Sequence, residues 1–236
     1  MRRPPARRTA SASTRPAAVL LALVAGGVAC ALLAGCSPPG TAEQPQPGEA
    51  STDGAEPRTG VAFAAVGDSI TDADSVDFAA GDLGSASWAT YAVDAGFDFA
   101  GGWAEWGATT ARMAGQVAPS DADVLVLLAG TNDVAFGIPF DESAANLERL
   151  VDTVGIADVV VVSIPPIDAI PEGAEAYNDR LDDLADDRGW RFVDASAGLR
   201  SDDGSFRDGM SSDGLHPSPA GARVLGEAIA EGLGGD

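Results

Sequence analysis

The chain has 236 residues, with 36 Asp and Glu, 14 basic residues that are all arginine, one histidine and a formal net charge of −22. That length leaves room for one ordinary domain once a leader is set aside. A surface this acidic repels phosphate backbones and anionic headgroups, which excludes nucleic acid as a partner; the acidity itself reads as solubility. The two cysteines, Cys30 and Cys36, both precede the body of the chain. A disulfide, a thiol nucleophile or a cysteine-based zinc site is therefore excluded there.

Residues 1–35 follow the plan of a secretory signal peptide. Arg2, Arg3, Arg7, Arg8 and Arg15 precede an apolar stretch from Ala17 to Leu33, and small residues follow. Leu33-Ala34-Gly35-Cys36 resembles the lipobox of bacterial lipoproteins. The resemblance implies cleavage before Cys36 and lipidation of Cys36, so that a lipid anchor ties an extracytoplasmic protein to the bacterial cell membrane. An uncleaved membrane anchor is the alternative, since about 18 apolar residues nearly span a bilayer. Residues 36–60 are rich in Pro, Gly, Thr, Glu and Gln, and read as a disordered tether with a reach of about 25–30 Å. The domain is expected over residues 61–236.

In that domain the apolar run Val61–Val66 passes straight into Gly67-Asp68-Ser69-Ile70. It reads as a buried strand ending in a tight turn that presents a hydroxyl. A helix is expected over Ala86–Ala95, a weak strand over Phe97–Ala100 and a short helix over Thr109–Val117. Val124–Leu128 is a continuous apolar run, as in a central parallel strand covered on both faces. The next helix starts near Asp141 as N-cap, carries Ala144, Leu147, Leu150, Val151 and Val154 on one face, and stops at Gly155. Val159–Val162 is a buried strand, Glu172–Arg188 a charged helix stopped by Gly189, and Arg191–Val193 a peripheral strand. Ser218 caps a last helix with Pro219 in its first turn. Such alternation predicts a three-layer α/β/α sandwich around a parallel sheet, with ligands outside the carboxyl ends of its strands.

If Ser69 is a nucleophile, its base is almost forced, because His216 is the only histidine. In Asp213-Gly214-Leu215-His216-Pro217, a carboxylate three residues ahead of the ring can hold Nδ1–H while Nε2 faces outward. Asp68 reads as a turn former satisfying local N–H groups. Asp72, Asp74 and Asp77 read as a solvated loop, because their spacing does not match a calcium loop. Trp88 is expected in the core; Trp103 and Trp106 are either core or pocket lining.

Four blocks occur in register: Gly67-Asp68-Ser69-Ile70, Trp106-Gly107-Ala108-Thr109-Thr110, Gly130-Thr131-Asn132-Asp133 and Asp213-Gly214-Leu215-His216-Pro217. In order and context they resemble the SGNH hydrolases, also called the GDSL esterase/lipase family. The resemblance covers Val61 to Leu233. It implies a flavodoxin-like sheet and ester or thioester hydrolysis through an acyl-enzyme, with no metal and no cofactor. It also implies Ser69 as nucleophile, His216 as base then acid, Asp213 as its orienting residue, and an oxyanion hole from the N–H of Ser69, the N–H of Gly107 and the amide of Asn132. Two departures are Ile70, where leucine is usual, and the Gly101–Trp106 run ahead of the second block. The expected activity is that of an extracytoplasmic serine esterase on short acyl esters, an O-acetylated glycan among them. The alternatives are a lysophospholipase or thioesterase, and a non-catalytic surface module that binds glycan.

Overall fold

Strands of buried aliphatic residues and helices with one apolar face assemble as a three-layer sandwich. The computed structural model describes residues 60–235. The expected signal peptide, Cys36 and nearly all of the tether lie outside the described residues. Five strands, β1 (Ala62–Gly67), β2 (Asp98–Ala104), β3 (Val124–Leu128), β4 (Asp158–Val162) and β5 (Arg191–Val193), form one parallel sheet in the order β2-β1-β3-β4-β5. Helices α3 (Thr110–Ala114), α5 (Phe140–Val154) and α6 (Pro171–Arg188) supply residues such as Met113, Leu147 and Leu181 to the core on one face. Helices α2 (Trp88–Asp94) and α7 (Pro219–Gly234) cover the other. The side-chain alternation of β1 shows why: Ala64 and Val66 enter the first core, Phe63 and Ala65 the second. All five residues of β3 are buried, each large aliphatic side chain contributing roughly 1.5–3 kcal/mol.

The strand order places the topological switch between β1 and β3, whose connections leave in opposite directions. The crevice there is where a ligand is expected in a sheet of this kind. Two short helices start at the carboxyl ends of these strands, α1 (Ser69–Asp72) after β1 and α4 (Thr131–Phe136) after β3.

Three elements differ from expectation. β2 continues past Ala100 to Ala104, through a bulge that places one extra residue between the Phe63–Phe99 and Ala65–Gly102 pairs. Gly102 makes this possible: its φ is +151°, and a Cβ there would lie 1.9 Å from the Ala65 carbonyl oxygen. The Gly130-Thr131-Asn132-Asp133 block, to which the sequence gives no element of its own, opens a short helix. Helix α5 begins at Phe140 after Pro139, not at an Asp141 cap. The Asp141 carboxylate instead meets Arg180 of α6 at 2.7 Å.

Candidate active site

The turn after β1 is built by Asp68, whose Oδ1 accepts the Ile70 N–H at 3.0 Å and caps α1. Ser69 thereby becomes the first helical residue, a position whose N–H has no partner within its own helix. Trp88, fully buried, donates from Nε1 to Thr71 Oγ1 at 3.0 Å and supports α1 from the core side. Its expected core placement is borne out.

Across the crevice, the loop before α7 carries the histidine. Ser69 Oγ lies 2.9 Å from His216 Nε2, and His216 Nδ1 lies 2.8 Å from Asp213 Oδ2. The other carboxylate oxygen of Asp213 accepts the N–H groups of Leu215 at 2.9 Å and His216 at 2.8 Å. One side chain thus both closes the turn and sets the ring. With Nδ1 facing a carboxylate, the ring proton belongs on Nδ1, which leaves Nε2 to accept from the serine hydroxyl. Partial desolvation pushes the Asp213 carboxyl up, but the bonds from the His216 ring and the two N–H groups outweigh it and hold it well below the usual carboxylate range.

Asn132, the second residue of α4, donates from Nδ2 to the Ala108 carbonyl at 3.0 Å and to Asp68 Oδ2 at 3.3 Å. Its amide joins the serine turn to the turn that carries Gly107. That glycine has φ +74°, a left-handed conformation that a side chain would strain, and the space a Cβ would enter is open for 4 Å around. Its N–H has no protein acceptor among the described residues.

Two residues given no catalytic part by the sequence hold this arrangement. Asp133, fully buried, accepts Thr110 N–H at 2.9 Å, Thr110 Oγ1 at 2.5 Å and Ser143 Oγ at 2.7 Å. It therefore locks α4 to the start of α3, just beyond Gly107. Asp68 does more than form a turn, because it also receives the Asn132 amide. Its complete burial pushes its pKa up to about 6, against the opposing effects of the Ile70 N–H and the nearby His216. Both carboxylates stand beside the motif residues in the sequence, but nothing in the spacing shows which donors they meet.

Ser69, His216 and Trp106 line a pocket of about 100 Å³ together with Ile70, Ala73, Asp74, Ala86 and Pro217. Trp106 is 57 % exposed, with its ring centroid 5.5 Å from that of His216. Its Nε1 donates to Asp72 Oδ2 at 2.6 Å, so Asp72 is a structural acceptor and not only a solvated loop residue. Asp77 likewise accepts the Ala80 N–H at 3.1 Å. Trp103, by contrast, packs on the core beside α3 and borders a separate cleft with Val117 and Pro119. Among the described residues, no group of three or more His, Cys, Asp or Glu is arranged to hold a metal ion, and no helix is long and apolar enough to cross a membrane.

Similarity to known proteins agrees with this architecture. The family model for GDSL-like lipase/acylhydrolase matches residues 65–224. Among solved structures, a catalytic mutant of an acetylxylan esterase from Geobacillus stearothermophilus is 20 % identical, with 76 % of this chain and 97 % of that one covered at a TM-score of 0.59. A member of the lipolytic G-D-S-L family from Veillonella parvula is 18 % identical over 72 % of this chain and 96 % of its own, at 0.57. A GDSL-like lipase from Bacteroides thetaiotaomicron is 17 % identical over 73 % and 87 %, at 0.56. No curated protein matches the sequence. With the blocks in order, the switch-point crevice and the matched region spanning most of the domain, the chain belongs to the GDSL-like lipase/acylhydrolase family and is a hydrolase of carboxylic ester bonds.

Proposed function

We propose that this hydrolase is a short-chain acyl esterase working through a Ser69–His216–Asp213 relay. The observation that carries the reading is the pair of contacts, 2.9 Å and 2.8 Å, that links hydroxyl, imidazole and carboxylate in series. Ser69 Oγ attacks the ester carbonyl while Nε2 takes its proton, and Asp213 keeps the ring in the tautomer able to do so. The negative oxygen of the tetrahedral intermediate is received by the N–H groups of Ser69 and Gly107 and by the Asn132 amide. Asn132 gives up the longer of its two bonds, that to Asp68, as the oxyanion forms. His216 then passes its proton to the leaving alcohol, and water, deprotonated by the same nitrogen, releases the acid.

A cavity of about 100 Å³ beside the serine favours a small ester, and an O-acetyl group on a glycan is the proposed substrate. The acetylxylan esterase among the similar structures supports that substrate class. The leader and Cys36 support action outside the cytoplasm, from a lipid anchor. Acyl-chain profiling of the purified protein with acetate, butyrate and longer esters tests the reading. Acetate is expected to lead; clear preference for long chains would favour a lysophospholipase or thioesterase instead. A protein that turns over none of them and binds glycan would be a non-catalytic module.

A further inference from the structure

Trp106 presents a large aromatic surface to solvent beside the relay, and no fold-stabilising role accounts for its exposure. Burial normally stabilises a large ring such as an indole, yet more than half of this one is in water. It is nevertheless held in place: Asp72 accepts its N–H at 2.6 Å, and the ring leans over the imidazole at an interplanar angle of 30°. Asp72 is fixed in turn at the end of α1, where the next two residues, Ala73 and Asp74, adopt φ of +35° and +66°. Two consecutive non-glycine residues in the left-handed region are strained and persist only where the surroundings hold them. Their conformation turns the Asp74 side of the corner toward the same pocket. The Asp74 carboxylate is exposed and has no hydrogen-bond or ion-pair partner among the described residues.

Reaction geometry then fixes which part of the substrate meets Trp106. The leaving oxygen must come within hydrogen-bond reach of His216 Nε2 to collect its proton. An alcohol bound there lies along the indole that flanks the imidazole. A flat aromatic face next to an unpaired carboxylate suits one chemical class: a ring with an apolar C–H face and a rim of hydroxyl donors. An anionic phosphate headgroup would meet Asp72 and Asp74 with repulsion.

We infer that Trp106 is the specificity-determining residue for the alcohol half of the ester, stacking on the C–H face of a pyranose while Asp74 accepts from its hydroxyls. This inference rests on the esterase reading above and adds the residue that selects the alcohol.

The test compares monoacetylated methyl xylopyranosides with ethyl acetate, two acetates that differ only in the alcohol. The full-length protein and its Trp106→Leu variant are assayed with both. The ratio of kcat/KM for sugar over ethyl ester is expected to fall at least tenfold in the variant, mainly through KM for the sugar. An unchanged ratio would overturn the inference, because a residue that merely supports His216 would lower both substrates alike. Asp72→Ala, which frees the indole without removing it, is expected to lower the ratio in the same direction by a smaller factor. Saturation transfer to the sugar C–H protons in Ser69→Ala, lost in Ser69→Ala/Trp106→Leu, gives a second reading that needs no turnover; transfer that survives loss of the indole would also overturn the inference. If the wild-type protein hydrolyses neither acetate and Ser69 resists a fluorophosphonate, it is the esterase reading that fails.

Discussion

The half of the site built on β1 and β3 is buried and cross-linked, whereas the half carried by the 211–217 loop and the Trp106 turn stands in solvent. Asp68 and Asp133 are completely buried, and between them they accept bonds from Ile70, Asn132, Thr110 and Ser143. On the other side the side chains of His216 and Asp213 are 31 % and 52 % exposed, and their bonds are largely local to the loop. On the proposed mechanism the difference follows from two tasks. Two of the three oxyanion donors, the Ser69 N–H and the Asn132 amide, sit on the side held by buried carboxylates, so they are largely positioned before substrate arrives, while the Gly107 N–H belongs to the exposed turn. A proton carrier must reach both the serine and an incoming alcohol, and so it borders open space.

Breaking each half in turn gives effects of different kind and size. Ser69→Ala should lower turnover of an acetate ester by about 10⁴-fold or more, measured against the unaltered protein under saturating substrate. A variant retaining a tenth of the activity would remove Ser69 as nucleophile. Asn132→Ala should lower kcat by about 10²–10³ with little change in KM, since the bond proposed between its amide and the substrate oxygen would strengthen only in the transition state. An effect confined to KM would take Asn132 out of the oxyanion hole.

Changes to the buried carboxylates sharpen the comparison through stability. Asp133→Ala leaves three buried donors unpaired and should cost about 3–5 kcal/mol by denaturant unfolding; a loss below 1 kcal/mol would show that the clamp between α3 and α4 is dispensable. Asp68 acts in the opposite sense. Its folded-state pKa of about 6 lies above the ordinary 3.8, so the native protein holds this proton where the unfolded chain has lost it. Its contribution therefore decreases as pH rises from about 4 to about 6 and stays low above that, by about 3 kcal/mol in all. Asp68→Asn should flatten that part of the stability profile, so that the variant gains on the original as pH climbs through the window. A parallel pair of profiles would contradict the assignment. The smallest effect is expected at the solvent-exposed Glu105–Arg112 pair, where Glu105→Gln should leave Tm unchanged within error.

Much of this was legible in the sequence because it is written in local signals. Apolar runs marked β1, β3 and β4, while Gly155 and Gly189 marked helix ends, where both take left-handed caps. Asp-Gly-Leu-His placed a carboxylate and a ring on one turn, and Ser69 met that ring across 147 residues. What stayed hidden depends on contacts without a periodic trace. Helix α4 is six residues long and buries only Thr131 and Asp133, so it shows no apolar stripe. The second half of β2 was obscured by Gly101 and Gly102, residues that weaken strand propensity yet supply the bulge. Asp141 looked like a cap because its type suits one, but the helix starts ahead of it at Phe140, leaving the carboxylate to pair with Arg180. The bonds of Asp133 to Thr110 and of Trp106 to Asp72 span 23 and 34 residues, beyond any local rule.

Covalent capture tests the central claim most directly. The full-length protein is treated with a fluorophosphonate and the adduct mapped by peptide mass spectrometry. A single adduct on Ser69, formed far more slowly in His216→Ala, is the predicted result. Labelling elsewhere, or equal rates with and without the imidazole, would contradict a serine activated by His216.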